Sequence, residues 1–333
     1  MRTGEGQRLM TDTEENASKH RLKQKDLIAL LLTLFSEEYD KAQVDSITDI
    51  LLPMGAIKTY LQRRVGISYT SDAWIITQVR KYEEEIGTTL FRKAVSQEGA
   101  ALGLCQNITT YEQKRHLYIS QKIRTANGVF DLIRNSAEKL PSGDTVSLLL
   151  EAGSTVTRVA EIIAQNLHLL PLKWDICTHN LGVIECLGKT SPAYGNVSIS
   201  VPQGRFDPVT HLILSDRLEL YLERKFDWII QGTSFLADGD LYVEKPDEAR
   251  LKAKILRECK GKKVLVLTGH ETTSHLPCPA EPFGRVSDYD YVVYPALDGG
   301  SSAAKRMDKE MGPFANILPV MIRNWSYVIM AHV

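Results

Sequence analysis

The residues with most chemistry to offer lie at 151–155, Glu-Ala-Gly-Ser-Thr, between the apolar run "TVSLLL" (145–150) and the helix-patterned "VTRVAEIIA" (156–164). A carboxylate, a glycine and two hydroxyls at the start of a helix suit an anion. The first turn of a helix leaves backbone N–H groups without intrahelical partners, and the helix dipole favours negative charge there. Gly153 lets the backbone approach a ligand, while Ser154 and Thr155 supply hydroxyls and cap oxygens. The same turn also reads as a plain helix start capped by Ser154, and both readings stand at this point.

Other apolar runs end in similar residues: Thr178-His179-Asn180, Gln203-Gly204-Arg205, Gln231-Gly232-Thr233-Ser234 and Thr268-Gly269-His270. In open parallel sheets ligands sit beyond the carboxyl ends of the strands, so the repetition favours a binding site there. Little points to metal, disulfide or cofactor chemistry. The five cysteines (105, 177, 186, 259, 278) form no CxxC pair and read as reduced thiols. His116, His168, His211, His275 and His332 lack metal-ligand spacing, and there is no GxGxxG after the first strand, no Walker loop and no HExxH, so no cofactor is expected.

The elements that must position these residues follow from periodicity. Residues 1–20 are polar and unpatterned and read as a disordered tail. Residues 21–98 show short helical patterns broken at Pro53-Met54-Gly55, Gly66 and Gly87, which predicts a small helical domain. Residues 99–140 read as a helical connector with a helix over 122–139, closed by Pro141-Ser142-Gly143-Asp144. Beyond 140, short apolar strands alternate with helical patterns: 145–152, 174–180, 196–204, 226–234, 262–269 and 289–295. That alternation predicts βαβ units, hence an α/β domain over 141–333 with a mostly parallel sheet flanked by helices. Residues 296–333 predict a flexible loop and then an apolar strand or helix, docked on the body or on another subunit.

The formal net charge of −1 gives no global attraction to nucleic acid or anionic membrane, so any DNA contact must come from a local patch. The longest apolar run, 27–35, is too short to span a bilayer and no secretory leader opens the chain. A cytoplasmic protein with no membrane partner is expected.

From about Lys122 to Pro295 the sequence resembles the effector-sensing domain of DeoR-type bacterial transcriptional regulators. "PSGDTVSLLLEAGSTVTRVAEIIA" resembles that family's phosphate-loop strand, turn and helix, and "ICTHNLGVIECL", "SVPQGRF", "FDWIIQGTS" and "DEARLKAKIL" resemble its later segments in order. The resemblance implies a fold shared with ribose-5-phosphate isomerase and CoA transferases, and a pocket for a phosphorylated sugar or related small metabolite. Carried over position by position, it makes Glu151, Gly153, Ser154, Thr155, Thr178, His179, Asn180, Gly204, Gly232 and Lys252 the candidate effector contacts, with Lys252 a point charge for an anion. Gly269-His270-Glu271-Thr272 stands where the family has Asp-x-Ser-Lys, and His179 where it commonly has Asn, so a different metabolite is expected.

The segment 71–93 resembles the recognition helix and the start of the wing in LysR-type regulators, with Tyr82-Glu83, Gly87, Leu90-Phe91 and Lys93 in register. The first domain is accordingly expected to be winged-helix-like. Thr77, Gln78, Arg80 and Lys81 would face a major groove and Arg92 and Lys93 the nearby phosphates. An ordinary solvated helix face, with Arg80 and Lys81 balanced by Glu83, Glu84 and Glu85, is the other reading. The whole then predicts a ligand-responsive, DNA-binding regulator acting as a homodimer or higher homo-oligomer, with the connector transmitting the ligand's effect. The alternatives are an isomerase-like or CoA-transferase-like enzyme of the same fold, and a binding module without a ligand. An isomerase needs a carboxylate base at a strand end, and Asp238 and Asp240 lie several residues beyond theirs.

Overall fold

The computed structural model describes residues 22–333 except 43, 45, 106, 107, 216, 273–275 and 277–279, and the side chains of 191–194. The expected N-terminal tail, Cys278 and His275 lie outside the described residues. The chain divides into two compact units, residues 1–108 and 109–333.

The described residues of the first unit run α1 (Gln24–Lys41), β1 (Leu51–Pro53), α2 (Met54–Val65), α3 (Asp72–Ile86), β2 (Phe91–Ser96) and β3 (Gly99–Leu104). The strands form an antiparallel sheet in the order β1-β3-β2. Leu27, Leu31, Phe35, Ile57, Leu61, Ile75 and Leu90 are fully buried between helices and sheet. Glycines stop two of the helices: Gly66 (φ 72°) follows α2 and Gly87 (φ 67°) follows α3, both in the left-handed region. Glu83 then ties α3 to the sheet, its carboxylate accepting from the N–H groups of Leu90 (2.7 Å) and Phe91 (2.8 Å).

Residues 99–104 correct the expectation of a helical connector from 99 to 140. "GAALGL" has helix-tolerant composition, but it pairs residue by residue with Phe91–Ser96 and buries Ala101, Leu102 and Leu104. Tertiary pairing overrides local propensity here. The unit boundary falls at 108, not near 140.

The second unit is built on an eight-stranded sheet. Its strands are β4 (Thr145–Leu150), β5 (Lys173–Thr178), β6 (Val197–Ser200), β9 (Lys225–Gly232), β12 (Lys260–Val266), β14 (Tyr291–Pro295), β15 (Val320–Arg323) and β16 (Tyr327–Ala331); β7 (Arg205–Asp207) pairs with β8 (Leu212–Leu214), β10 (Phe235–Ala237), β11 (Asp240–Val243) and β13 (Glu281–Arg285) form a small sheet, and α4 (Tyr111–Lys114), α7 (Leu181–Tyr194) and α8 (Glu219–Leu222) are among the unit's helices. Across the sheet the order is β6-β5-β4-β9-β12-β14-β16-β15. The six from β6 to β14 are parallel, and β16 runs antiparallel to both of its neighbours. The α/β class expected from the alternation is therefore the class observed.

Side chains of β4 alternate between the two faces. Val146, Leu148 and Leu150 enter one core with Val129 and Ile133 of α5 (Ile119–Ala137) and Val159 and Ile163 of α6 (Ser154–Asn166). Leu149 enters the opposite core with Ile229 of β9, Tyr221, and Leu251 and Ile255 of α9 (Pro246–Glu258). A sheet covered on both faces explains why its strands read as continuous apolar runs. The helix expected over 122–139 is α5, and its buried face makes it part of this unit's core instead of a free connector. The expected loop after 296 contains α10 (Ser302–Met311), capped by the Ser301 hydroxyl accepting from Ala304 N–H (3.1 Å) and anchored by Ala303, Met307 and Met311. No helix among the described residues is long and apolar enough to cross a membrane.

Candidate functional site

The strand order creates one special place. From β4 the chain proceeds outward to β5 and β6, then returns to lay β9 on the other side of β4 and proceeds to β12 and β14. The connections after β4 and β9 thus diverge, leaving a crevice at the carboxyl ends of these two strands, where open parallel sheets take their ligands. Glu151-Ala152-Gly153 forms one lip and Gln231-Gly232 the other, joined where Glu151 N–H donates to Ile230 O (3.1 Å).

Gly153 stands at φ 111°, ψ 153°, a conformation reserved in practice for glycine, and it starts α6. Ser154 is the first residue of that helix, not its cap, and no side chain caps it. Both Ser154 and Thr155 lie at the helix start, Ser154 half-buried and Thr155 9% exposed.

Beneath the lips lies a buried polar network. Asn180 Nδ2 donates to Glu151 O (3.0 Å) and Gly153 O (3.1 Å), while its Oδ1 accepts from Gly182 N–H (3.0 Å). Thr178 Oγ1 donates to Leu150 O (2.6 Å) and accepts from Asn180 N–H (3.1 Å). Thr178 and Asn180 therefore hold the strand ends in place through the main chain. Lys252 of α9 forms an ion pair with Glu151 Oε2 and donates to Gly232 O (3.0 Å). His179 Nδ1 lies 3.2 Å from Tyr221 Oη, and its Nε2 lies 3.8 Å from Glu151 Oε1. Burial pushes the Glu151 carboxyl up despite the pull of Lys252, and pushes His179 down to about 3 with the Lys252 charge adding to the effect. A neutral ring at 3.8 Å is not an ion pair.

Of the candidate effector residues, Glu151, Gly153, Thr178, His179, Asn180, Gly232 and Lys252 meet in this network, with Ser154 and Thr155 at its edge. Gly204 stands apart. It is exposed, and a Cβ there would lie 2.3 Å from Leu214 O, so its smallness serves the close approach of β8 (Leu212–Leu214). That strand lies along the end of β5, with Ile213 N–H donating to His179 O (2.8 Å).

Several contributors carry no motif. Tyr221 holds His179, and Tyr111 Oη donates to Thr157 Oγ1 (3.0 Å), which lies 3.3 Å from Gly153 O. Thr157 left a trace as a hydroxyl on the apolar stripe of α6; Tyr111 and Tyr221 left none. Glu271, on the loop after β12, turns its carboxylate back onto the N–H groups of Thr268 (2.9 Å), Gly269 (2.9 Å) and His270 (3.1 Å). That strand end is occupied by the chain's own anion. Asp238 lies in an exposed turn and Asp240 pairs with Arg285 at 2.9 Å, so neither is among the residues of the network. Among the described residues no group of His, Cys, Asp and Glu could hold a metal ion.

In the first unit, Thr77, Arg80 and Lys81 are exposed on α3, and Gln78 is half-buried. Lys93 shares its side of β2 with Phe91, which packs on Phe35 of α1 (ring centroids 5.9 Å). Arg92 corrects the grouping. It points to the other side of the sheet, over Gly103, and donates to Thr48 O (2.9 Å).

No family model matches this sequence, and no curated protein matches it. Among solved structures, ribose 5-phosphate isomerase from Plasmodium falciparum is 12% identical with a TM-score of 0.33, over 65% of this chain and 79% of that one. eIF2B delta from Chaetomium thermophilum is 10% identical with a TM-score of 0.35, over 84% and 94%, and eIF2B beta from the same organism is 13% identical with a TM-score of 0.30, over 81% and 85%. Similarity at this level carries no argument about activity, ligand or partner, and the fold rests on the strand order and registers themselves.

Proposed function

We propose that the chain is a ligand-responsive DNA-binding regulator that takes a small phosphorylated metabolite at the β4/β9 crevice. The observation that carries the DNA part is α3 itself: a helix preceded by α2 and a glycine turn, followed by an antiparallel hairpin, with Thr77, Arg80 and Lys81 on its solvent face. A helix presented in this way fits a major groove, and Lys93 is the candidate for a neighbouring phosphate. The ligand part is supported by the uncapped start of α6 at the switch point, where free N–H groups suit a phosphate. A homodimer would offer two such helices to two half-sites, and a cytoplasmic location goes with the reading.

The test is selection of duplexes from a random library by the full chain, followed by fluorescence anisotropy on the winners. Arg80→Ala/Lys81→Ala should weaken binding to the selected sequence and relax the preference for it, whereas recovery of no duplex above background would remove the DNA reading.

One observation favours a second reading, an isomerase-like enzyme. Glu151 is a buried carboxyl at the crevice whose proton affinity is raised by burial, as a general acid or base requires. Its distinguishing sign is turnover of a sugar phosphate, lost in Glu151→Gln.

A further inference from the structure

The outer edge of the eight-stranded sheet carries an apolar patch that the β4/β9 crevice does not use. β15 is the last strand of that sheet and pairs on one side only, with β16. Along it Ile317, Val320 (45%), Met321 (48%) and Trp325 (87%) stand exposed, and Arg323 is the only charged residue between 315 and 333. Edge strands ordinarily carry charges that keep other chains away, so an edge this apolar marks a contact surface.

Trp325 is held outward by its surroundings. It sits in the turn between β15 and β16, where Asn324 N–H donates to Tyr327 O (3.1 Å) and Asn324 Oδ1 accepts from the N–H groups of Ser326 and Tyr327, both at 2.8 Å. Ser326 and Tyr327 are buried directly after it. An aromatic side chain on a turn fixed in this way loses little freedom when a partner covers it.

The edge also selects how a partner docks. Pro319 has no N–H to give to a further strand, the register of β15 slips between Val320 and Ile322, and the strand is four residues long. These features oppose an added strand and leave side-chain packing. With a lone arginine the patch offers no charge pattern to nucleic acid or to an acidic or basic peptide. An apolar patch is its own complement about a two-fold axis. Size agrees with that occupant: the four exposed side chains present on the order of 400 Å² of apolar surface. A standard interface buries about 800 Å² per partner, a little over half of it apolar.

We propose that this edge is the seam of a homodimer, in which the β15 patch of one copy packs on the same patch of a second copy, with Trp325 as the main anchor. This rests on the homodimer of the proposed function and places its interface. The helix expected as a connector, α5, has its apolar face committed to the core of its own unit.

The experiment is sedimentation equilibrium of the full chain over a concentration series, for wild type, Trp325→Asp, Met321→Asp and a control. The control is Val95→Asp, which puts the same charge at a similarly exposed apolar position (83%) of the first unit. Wild type should show twice the chain mass. Trp325→Asp should raise the dimer Kd by about thirtyfold or more, as loss of an aromatic anchor does. Met321→Asp should act in the same direction, and Val95→Asp should leave the mass unchanged. Both patch residues are exposed in the single chain, so their substitution leaves its fold intact, which an unaltered circular-dichroism spectrum checks. A wild-type dimer that survives both patch substitutions, or that Val95→Asp dissociates equally, overturns the inference and leaves the homodimer reading intact. A monomer at every concentration removes both and assigns the patch to a different protein.

Discussion

Lys252 Nζ, on a residue 1% exposed, neutralises the fully buried Glu151 carboxylate and in the same position donates to Gly232 O at 3.0 Å. One ammonium thus joins both lips of the crevice. Removing a single member of such a pair strands a buried charge, so Lys252→Met is expected to cost about 3–5 kcal/mol, and Glu151→Gln/Lys252→Met to regain most of it. Denaturant unfolding of the double-variant cycle measures this, and a near-neutral single variant would show that the pair does not brace the crevice.

Gly153 has a conformation that L-residues avoid, yet a Cβ there would meet nothing within 4 Å. The cost of Gly153→Ala is therefore conformational instead of steric, about 1–3 kcal/mol. The stability loss should come with reduced phosphate binding, because the start of α6 must shift to relieve the strain.

Glu83 joins α3 to β2 through two main-chain N–H groups. Glu83→Ala leaves both donors without their acceptor and should destabilise the first unit by about 1–3 kcal/mol, with Glu83→Gln recovering part of the loss. Arg80→Ala/Lys81→Ala should not change stability but should relax sequence specificity, whereas Lys93→Ala should lower the salt dependence of DNA binding by about one phosphate contact's worth. Arg92→Ala, on the other side of the sheet, should leave DNA affinity alone.

Acid sensitivity follows from the buried His179 and the half-buried His116 and His270. Burial lowers His179 from 6.5 to about 3. Between those values the unfolded chain binds the proton and the folded chain does not, so stability is complete above 6.5 and falls as pH drops toward 3. His116, lowered to about 4, and His270, lowered to about 3, act in the same direction. Glu151, raised by burial, opposes them: the folded state binds its proton more tightly, so its contribution weakens as pH rises above 4.5. His179→Asn should reduce the acid loss by up to about 1.4 kcal/mol per pH unit, seen as a shallower fall in the unfolding free energy between pH 6 and pH 4.

The strands of the second unit were legible because burial on both faces makes each a continuous apolar run, and helix–strand alternation carries the parallel topology with it. The segment Gly99–Leu104 was not, since alanine, leucine and glycine carry no strand signature and only the register with Phe91–Ser96 decides its state. Helix α10 was hidden behind "LDGGSS", whose turn residues extend only as far as its Ser301 cap. Within the site, the residues at strand ends could be read from position. Their roles could not: Thr178 and Asn180 look like ligand contacts in sequence and are spent on main-chain atoms, while Tyr221, 42 residues after His179, has no local signal linking it to that ring.

The most direct test of a crevice that binds a phosphorylated metabolite without transforming it is phosphorus NMR of a mixture of sugar phosphates titrated with the full chain. The account predicts broadening of one resonance, abolished by Ser154→Asp, with no new signals. New product resonances would make the protein an enzyme, and an unchanged spectrum would contradict the phosphate site altogether.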